Sequence, residues 1–109
     1  MIDRQIEHTM MALMIATLTE DLAKMKQLSL PDDSIRVADL VHRITGSLRI
    51  ARQIRLAQAC LHFEAQCRHG TTKTAVLDVM YKALQQRLED YLLRLRHAST
   101  LADVTEEND

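Results

Sequence analysis

A chain of 109 residues with two glycines and one proline has few means of turning tightly. Sheet architectures need frequent turns and nucleotide-binding loops need clustered glycines, so both are disfavoured. Long helices are the default. The apolar residues agree, because they recur at spacings of three and four and do not alternate. At 47% apolar and 3% aromatic content, they describe a core of aliphatic side chains with methionine as adaptable filling. One domain's length, with one apolar stripe per helix, makes an all-α, antiparallel up-and-down four-helix bundle with an N-terminal extension the expected fold.

The first helix is expected from near Asp3 to Leu28, with Ile6, Met10, Leu13, Met14, Leu18, Leu22 and Met25 on its stripe and its first turns frayed. Pro31 breaks the chain within residues 29–34, where acidic and hydroxyl side chains can cap a second helix. That helix should end near Ile50 to Arg52, and a third over residues 54–69 presents Leu56, Cys60, Phe63 and Cys67 inward. Gly70 is expected to end it in a left-handed conformation, with Thr71 and Thr72 capping the fourth helix. Leu77, Met80, Leu84, Leu88, Tyr91 and Leu95 mark that helix, which should close on Arg94, Arg96 and His97 against its dipole. The bundle is thus placed at residues 1–97, with 98–109 as a frayed or disordered acidic tail.

A formal net charge of -1 argues against a general polyanion binder, but the charge is unevenly placed. No acidic residue lies between Asp39 and Glu64, a stretch that holds Arg43, Arg49, Arg52 and Arg55. Cys60 and Cys67 are two turns apart on one expected helix, so their Cα atoms are about 10 Å apart and cannot be bridged. Unpaired thiols, with no signal-peptide pattern, fit a cytoplasmic domain. No apolar run approaches the ~18 residues of a membrane span, so no membrane contact by this domain is expected.

On the second helix, Val37, Leu40, Val41, Ile44 and Leu48 share one face. At about 100° per residue, His42 points well away from that face, beside Ala38, Thr45, Gly46 and Arg49. Packing therefore does not account for the imidazole. Gly46 follows one turn later, although glycine in a helix interior costs roughly 1 kcal/mol relative to alanine, which suggests that something approaches closely there.

Residues Ala38 to Gly70 resemble the signature of histidine-containing phosphotransfer (HPt) domains, in which H-x-[LI]-K-G-[SA] is followed by Leu, Cys and Leu-Glu at fixed offsets on the next helix. His42, Ile44, Gly46 and Ser47 match the first part; Leu56, Cys60 and Glu64 match the second, with Phe63 in the usual leucine place. The segment Leu13 to Met25 is similar to the helix preceding that signature, and the chain looks most like the C-terminal HPt module of unorthodox hybrid sensor kinases, a class that includes membrane-anchored proteins. It departs from the pattern twice. Thr45 stands where the family's lysine is usual, and Arg52 where a glycine commonly closes the helix.

The resemblance implies a histidine phosphotransfer protein of a two-component phosphorelay. His42 would accept a phosphoryl group from a receiver-domain aspartate and pass it to a response-regulator aspartate, Glu64 would bond Nδ1, and Nε2 would attack. Arg49, on the His42 face, is the candidate cation in place of the missing lysine. Arg43, Thr45, Gly46, Ser47 and Arg52 are the candidate partner-binding residues. The implied module is a monomeric phosphocarrier without an ATP site, with Mg2+ only on the partner receiver domain and no cofactor of its own. Three rivals are weaker. A sensor-kinase dimerisation region typically follows its histidine with an acidic residue, where this chain has Arg43, and no ATP-binding domain is expected within the chain. A helical adaptor or nucleic-acid-binding module could use the Arg43, Arg49, Arg52 and Arg55 patch, but near-neutral charge and the lack of interleaved aromatics disfavour it. A metal site from Cys60, His62, Glu64 and Cys67 lacks ligand spacing, and Cys60 is better read as a buried packing group.

Overall fold

Apolar spacing and the scarcity of helix breakers produce α1 (Arg4–Gln27), α2 (Ser34–Ile50), α3 (Ile54–His69) and α4 (Thr74–Glu107). The computed structural model describes the backbone of residues 4–107 and the side chains of residues 4–102. Asp3 and the side chains of Asp103, Glu106, Glu107 and Asp109 lie outside the described residues. Each helix packs against the next in chain order and α4 closes back on α1, the ring of contacts that an up-and-down bundle requires. Val37, Val41, Ile44 and Leu48 of α2 meet Leu56, Cys60 and Phe63 of α3 in the core, over Leu18, Leu22 and Met25 of α1 and Leu84 and Leu88 of α4. Burying each large apolar side chain contributes about 1.5–3 kcal/mol, so this stripe-to-stripe contact dominates the fold.

Tyr81 joins three helices. Its ring stacks on Phe63 with centroids 5.6 Å apart, and its hydroxyl donates to the Met25 carbonyl at 2.5 Å. Burial pushes its phenol up to about 12. The expected stripe on α4 ran through Met80 and did not include this residue.

Several local expectations are corrected. The α1 stripe is only half used: Leu18, Leu22 and Met25 are buried, whereas Ile6, Met10 and Leu13 are exposed. The reason is length. α1 and α4 span 24 and 34 residues but α2 and α3 only 17 and 16. The Lys26–Glu89 ion pair and the Arg96 bond to Thr19 fix an antiparallel α1–α4 pair whose first α1 turns outrun the shorter helices. The molecule is accordingly 55 Å long and 24 × 18 Å across. α4 does not stop at His97 but continues to Glu107; no glycine or proline interrupts residues 98–107, and the Thr100 hydroxyl bonds the Arg96 carbonyl within the helix.

The caps also differ. Gly70 has φ -72° and ψ 128°, an extended and not a left-handed conformation. Space explains this glycine, since a Cβ there would lie 2.0 Å from the Gln66 carbonyl oxygen. Thr71 and Thr72 precede the start of α4 at Thr74, and Thr72 hydrogen-bonds the Gln66 side chain, tying the loop to α3. Asp33 occupies the N-cap of α2 without a capping bond from its side chain, which instead accepts the Ser29 N–H at 2.8 Å.

The α2–α3 turn is a Schellman motif. Gln53 N–H bonds the Leu48 carbonyl at 2.8 Å and Arg52 N–H bonds that of Arg49 at 3.0 Å. Arg52 has φ 59°, the left-handed conformation that glycine adopts at no steric penalty and other residues adopt at about 1–2 kcal/mol. Arg52→Gly should therefore raise stability by about 0.5–1 kcal/mol, the relief being partly offset by the entropy of an unfolded glycine. Thermal unfolding should show a Tm higher by a few degrees. A lower Tm would mean that the arginine side chain contributes more to the fold than its backbone strain removes.

Candidate functional site

Two adjacent residues fix how α2 is rotated. Arg43 points towards α1 and donates to Asp21 at 2.5 Å, a carboxylate whose side chain is only 4% exposed. A buried carboxylate is stable only when paired, so this contact holds the α1 side of α2. His42, one residue or about 100° earlier, then faces α3. Its Nδ1 lies 3.0 Å from Glu64 Oε1, with the imidazole 70% exposed and the Glu64 side chain 11% exposed.

Glu64 is held from behind. It follows Phe63 and lies one turn after Cys60, both buried in the core. Arg68, one turn later on α3, donates from Nε to Glu64 Oε2 at 2.8 Å and from its terminal nitrogen to Asp39 Oδ1 at 2.8 Å. Glutamate four residues before arginine is the favourable order on a helix. Burial raises the Glu64 carboxyl, but the hydrogen bonds from Arg68 and His42 outweigh it and hold the group below its ordinary value. An ionised carboxylate only accepts, so Nδ1–H is the donor, and in the neutral ring the lone pair is then on Nε2. The arrangement presents one nucleophilic nitrogen in a fixed tautomer, and Glu64 is placed to stabilise positive charge arising on the ring.

Of the expected site residues, the structure brings His42 and Glu64 together. Thr45 is corrected: it is 3% exposed, with its hydroxyl on the Val41 carbonyl at 2.9 Å, so it offers no partner-binding surface. Ala38, one turn before His42, is likewise buried. Both lie at the margin of the apolar stripe, which small side chains allow to widen where α3 packs closely. Arg43 pairs with Asp21 through one terminal nitrogen, while its side chain remains more than half exposed. Gly46 is exposed, and a Cβ there would meet nothing within 4 Å. Ser47 is half-buried, while Arg49 and Arg52 are exposed. Arg49 stands two turns along α2 and makes no bond to the His42 ring.

Arg68, Asp39 and Asp21 were missed. The i, i+4 spacing of Glu64 and Arg68 was a usable signal; the long-range pairs were not. Burial pushes the Cys60 thiol up to about 11, as an inert packing group requires. Among the described residues, no three His, Cys, Asp or Glu side chains converge in a way that could hold a metal ion, and no helix is long and apolar enough to cross a membrane.

An exposed imidazole whose Nδ1 is held by a carboxylate of the facing helix is thus the polar centre of this helical bundle. The family model for the Hpt domain matches residues 9–98, and the chain belongs to that family. Hpt domains act in histidine phosphotransfer within phosphorelays, as phosphocarriers that work with response-regulator receiver domains and have no kinase site of their own. Neither curated proteins nor solved structures gave a match.

The Glu64 pairing predicts a pH dependence with a definite sign. Its folded-state pKa lies below the ordinary 4.5, so the stability it contributes is complete above that value and is lost as pH falls through the folded value. Glu64→Gln should lower Tm at neutral pH, and its difference from wild type should shrink towards zero in acid, where the protonated glutamate also lacks charge. A difference unchanged across that range would show that the charge does not matter to the fold.

Proposed function

We propose that His42 is the phosphoacceptor of a phosphorelay, taking a phosphoryl group from a receiver-domain aspartate and delivering it to a response-regulator aspartate. The observation that carries this is the exposed Nε2 of a ring whose Nδ1–H is bonded to Glu64. Nε2 donates its lone pair to phosphorus and forms an N–P bond. The P–O bond of the aspartyl phosphate breaks, and the aspartate carboxylate leaves with the electron pair. Nδ1 keeps its proton, so the phosphorylated ring gains positive charge facing Glu64. Attack in the reverse sense by a second aspartate returns the ring to neutrality. Such transfer is mostly positioning and electrostatics, and the receiver domain supplies the Mg2+ ion.

Incubation with a phosphorylated receiver domain should give acid-labile, alkali-stable label on this chain. His42→Gln should abolish the label and leave the unfolding free energy within about 1 kcal/mol of wild type, because the side chain is largely exposed. Label retained in that variant would sink the assignment.

Open space over Gly46 gives the receiver room to approach, and Arg49 is the cation we assign to the phosphoryl oxygens. These roles separate kinetically. Gly46→Gln should raise the receiver concentration needed for half-maximal transfer with little effect on the saturated rate, whereas Arg49→Ala should lower the saturated rate by about tenfold. An Arg49→Ala defect that vanishes at saturation would assign Arg49 to docking instead.

A further inference from the structure

Among the described residues, a concentration of unpaired positive charge lies away from His42. Where the α2–α3 turn meets the middle of α4, a cleft of about 430 Å³ is lined by Arg52, Arg55, Arg87 and Arg94. Asp90 is the single acidic residue in that lining. It is placed one turn from both Arg87 and Arg94 but bonds the Gln86 side chain at 3.0 Å. Arg43 and Arg68 are each bound to carboxylates. By contrast, no ion pair engages any of the four cleft guanidiniums among the described residues, and Arg94 only rests over the Tyr91 ring at 5.9 Å.

Four like charges in one cleft repel one another unless an anion enters between them. The backbone adds to the field without creating it: the first turn of α3 opens into the same cleft, and Gln53 provides no capping bond from its side chain. Arg52 is the further observation. It occupies a left-handed position that glycine would fill without strain, and its side chain lines this cleft.

We propose that this cleft binds a small phosphate-bearing anion with at least two adjacent negative charges, such as a diphosphate group. Planar guanidiniums match phosphate oxygens two at a time, and the excess of four cations over one carboxylate favours a multivalent ligand. The volume suits a small molecule and not a folded partner. The site is separate from His42 and does not rest on the proposed transfer reaction.

Calorimetric titration of the full chain with inorganic pyrophosphate, at about 0.15 M salt so that diffuse surface attraction is screened, tests this. Saturable one-to-one binding is expected, and Arg87→Ala and Arg94→Ala should each weaken it by about tenfold. Arg36→Ala, at the start of α2, should change nothing, and His42→Gln should bind as wild type. Arg52→Gly is the control for folding, because it should weaken binding several-fold while the protein becomes more stable. Absence of saturation, or affinity indifferent to Arg87 and Arg94, would overturn the proposal. So would protein that sediments with phosphatidylserine vesicles through these arginines but ignores pyrophosphate.

Discussion

Three residues, Ala51 to Gln53, connect α2 to α3, and the paired hydrogen bonds of that turn leave the two helices no freedom to slide past one another. The register of this hairpin determines which side chains on α2 face which on α3. Counted back from the turn, His42 comes opposite Glu64, and the same register places Asp39 within reach of Arg68. A shift of one residue would rotate Glu64 by about 100° and carry its carboxylate off the histidine. The orientation of the His42 ring is thus set about ten residues away, by the backbone of a tight turn.

Stability and orientation come from different contacts here. Val41, Ile44 and Leu48 against Leu56, Cys60 and Phe63 supply the apolar burial, and all of those groups are buried. The polar chain Asp39–Arg68–Glu64–His42 runs from an exposed end through a buried carboxylate to another exposed end, and what it contributes to stability is small beside that apolar burial. Its effect is directional. With one Glu64 oxygen occupied by Arg68, the other remains for Nδ1, and the imidazole has one tautomer. Arg43 and Asp21 act in the same way on the opposite side of α2, where a buried carboxylate fixes the helix's rotation against α1.

The helical bundle, the limits of α3 and the core faces of α2 and α3 were legible in the sequence because periodicity reports burial directly. His42 and Glu64 were legible because their offset is part of a recurrent pattern. Thr45 and Ala38 were misplaced because a helical wheel assigns a face by large apolar side chains, and it underestimates how far close packing extends over small ones. Ile6, Met10 and Leu13 failed for another reason: a stripe shows what a helix could bury, not whether its neighbours are long enough to cover it. Asp21 with Arg43, and Arg68 with Asp39, pair residues 22 and 29 positions apart. Nothing in local spacing marks such partners, because they depend on rotation and register that only the folded hairpin defines.

The same dependence explains why the arginine-rich stretch does not behave as one basic patch. Arg43 leans over α1 by the rotation that turns His42 towards α3, and one of its nitrogens pairs with the buried Asp21 while the side chain stays half exposed. Arg49 stays on the open face of α2, while Arg52 and Arg55 pass around the turn and join Arg87 and Arg94 of α4. One run of sequence therefore divides among a structural ion pair, the open face beyond His42 and a cleft at the end of the bundle. The near-neutral total charge conceals this division, since a net value averages over surfaces that a ligand meets one at a time. Thr45, where the family's lysine is usual, is buried and uncharged, and Arg49 is an exposed arginine one turn further along the same helix.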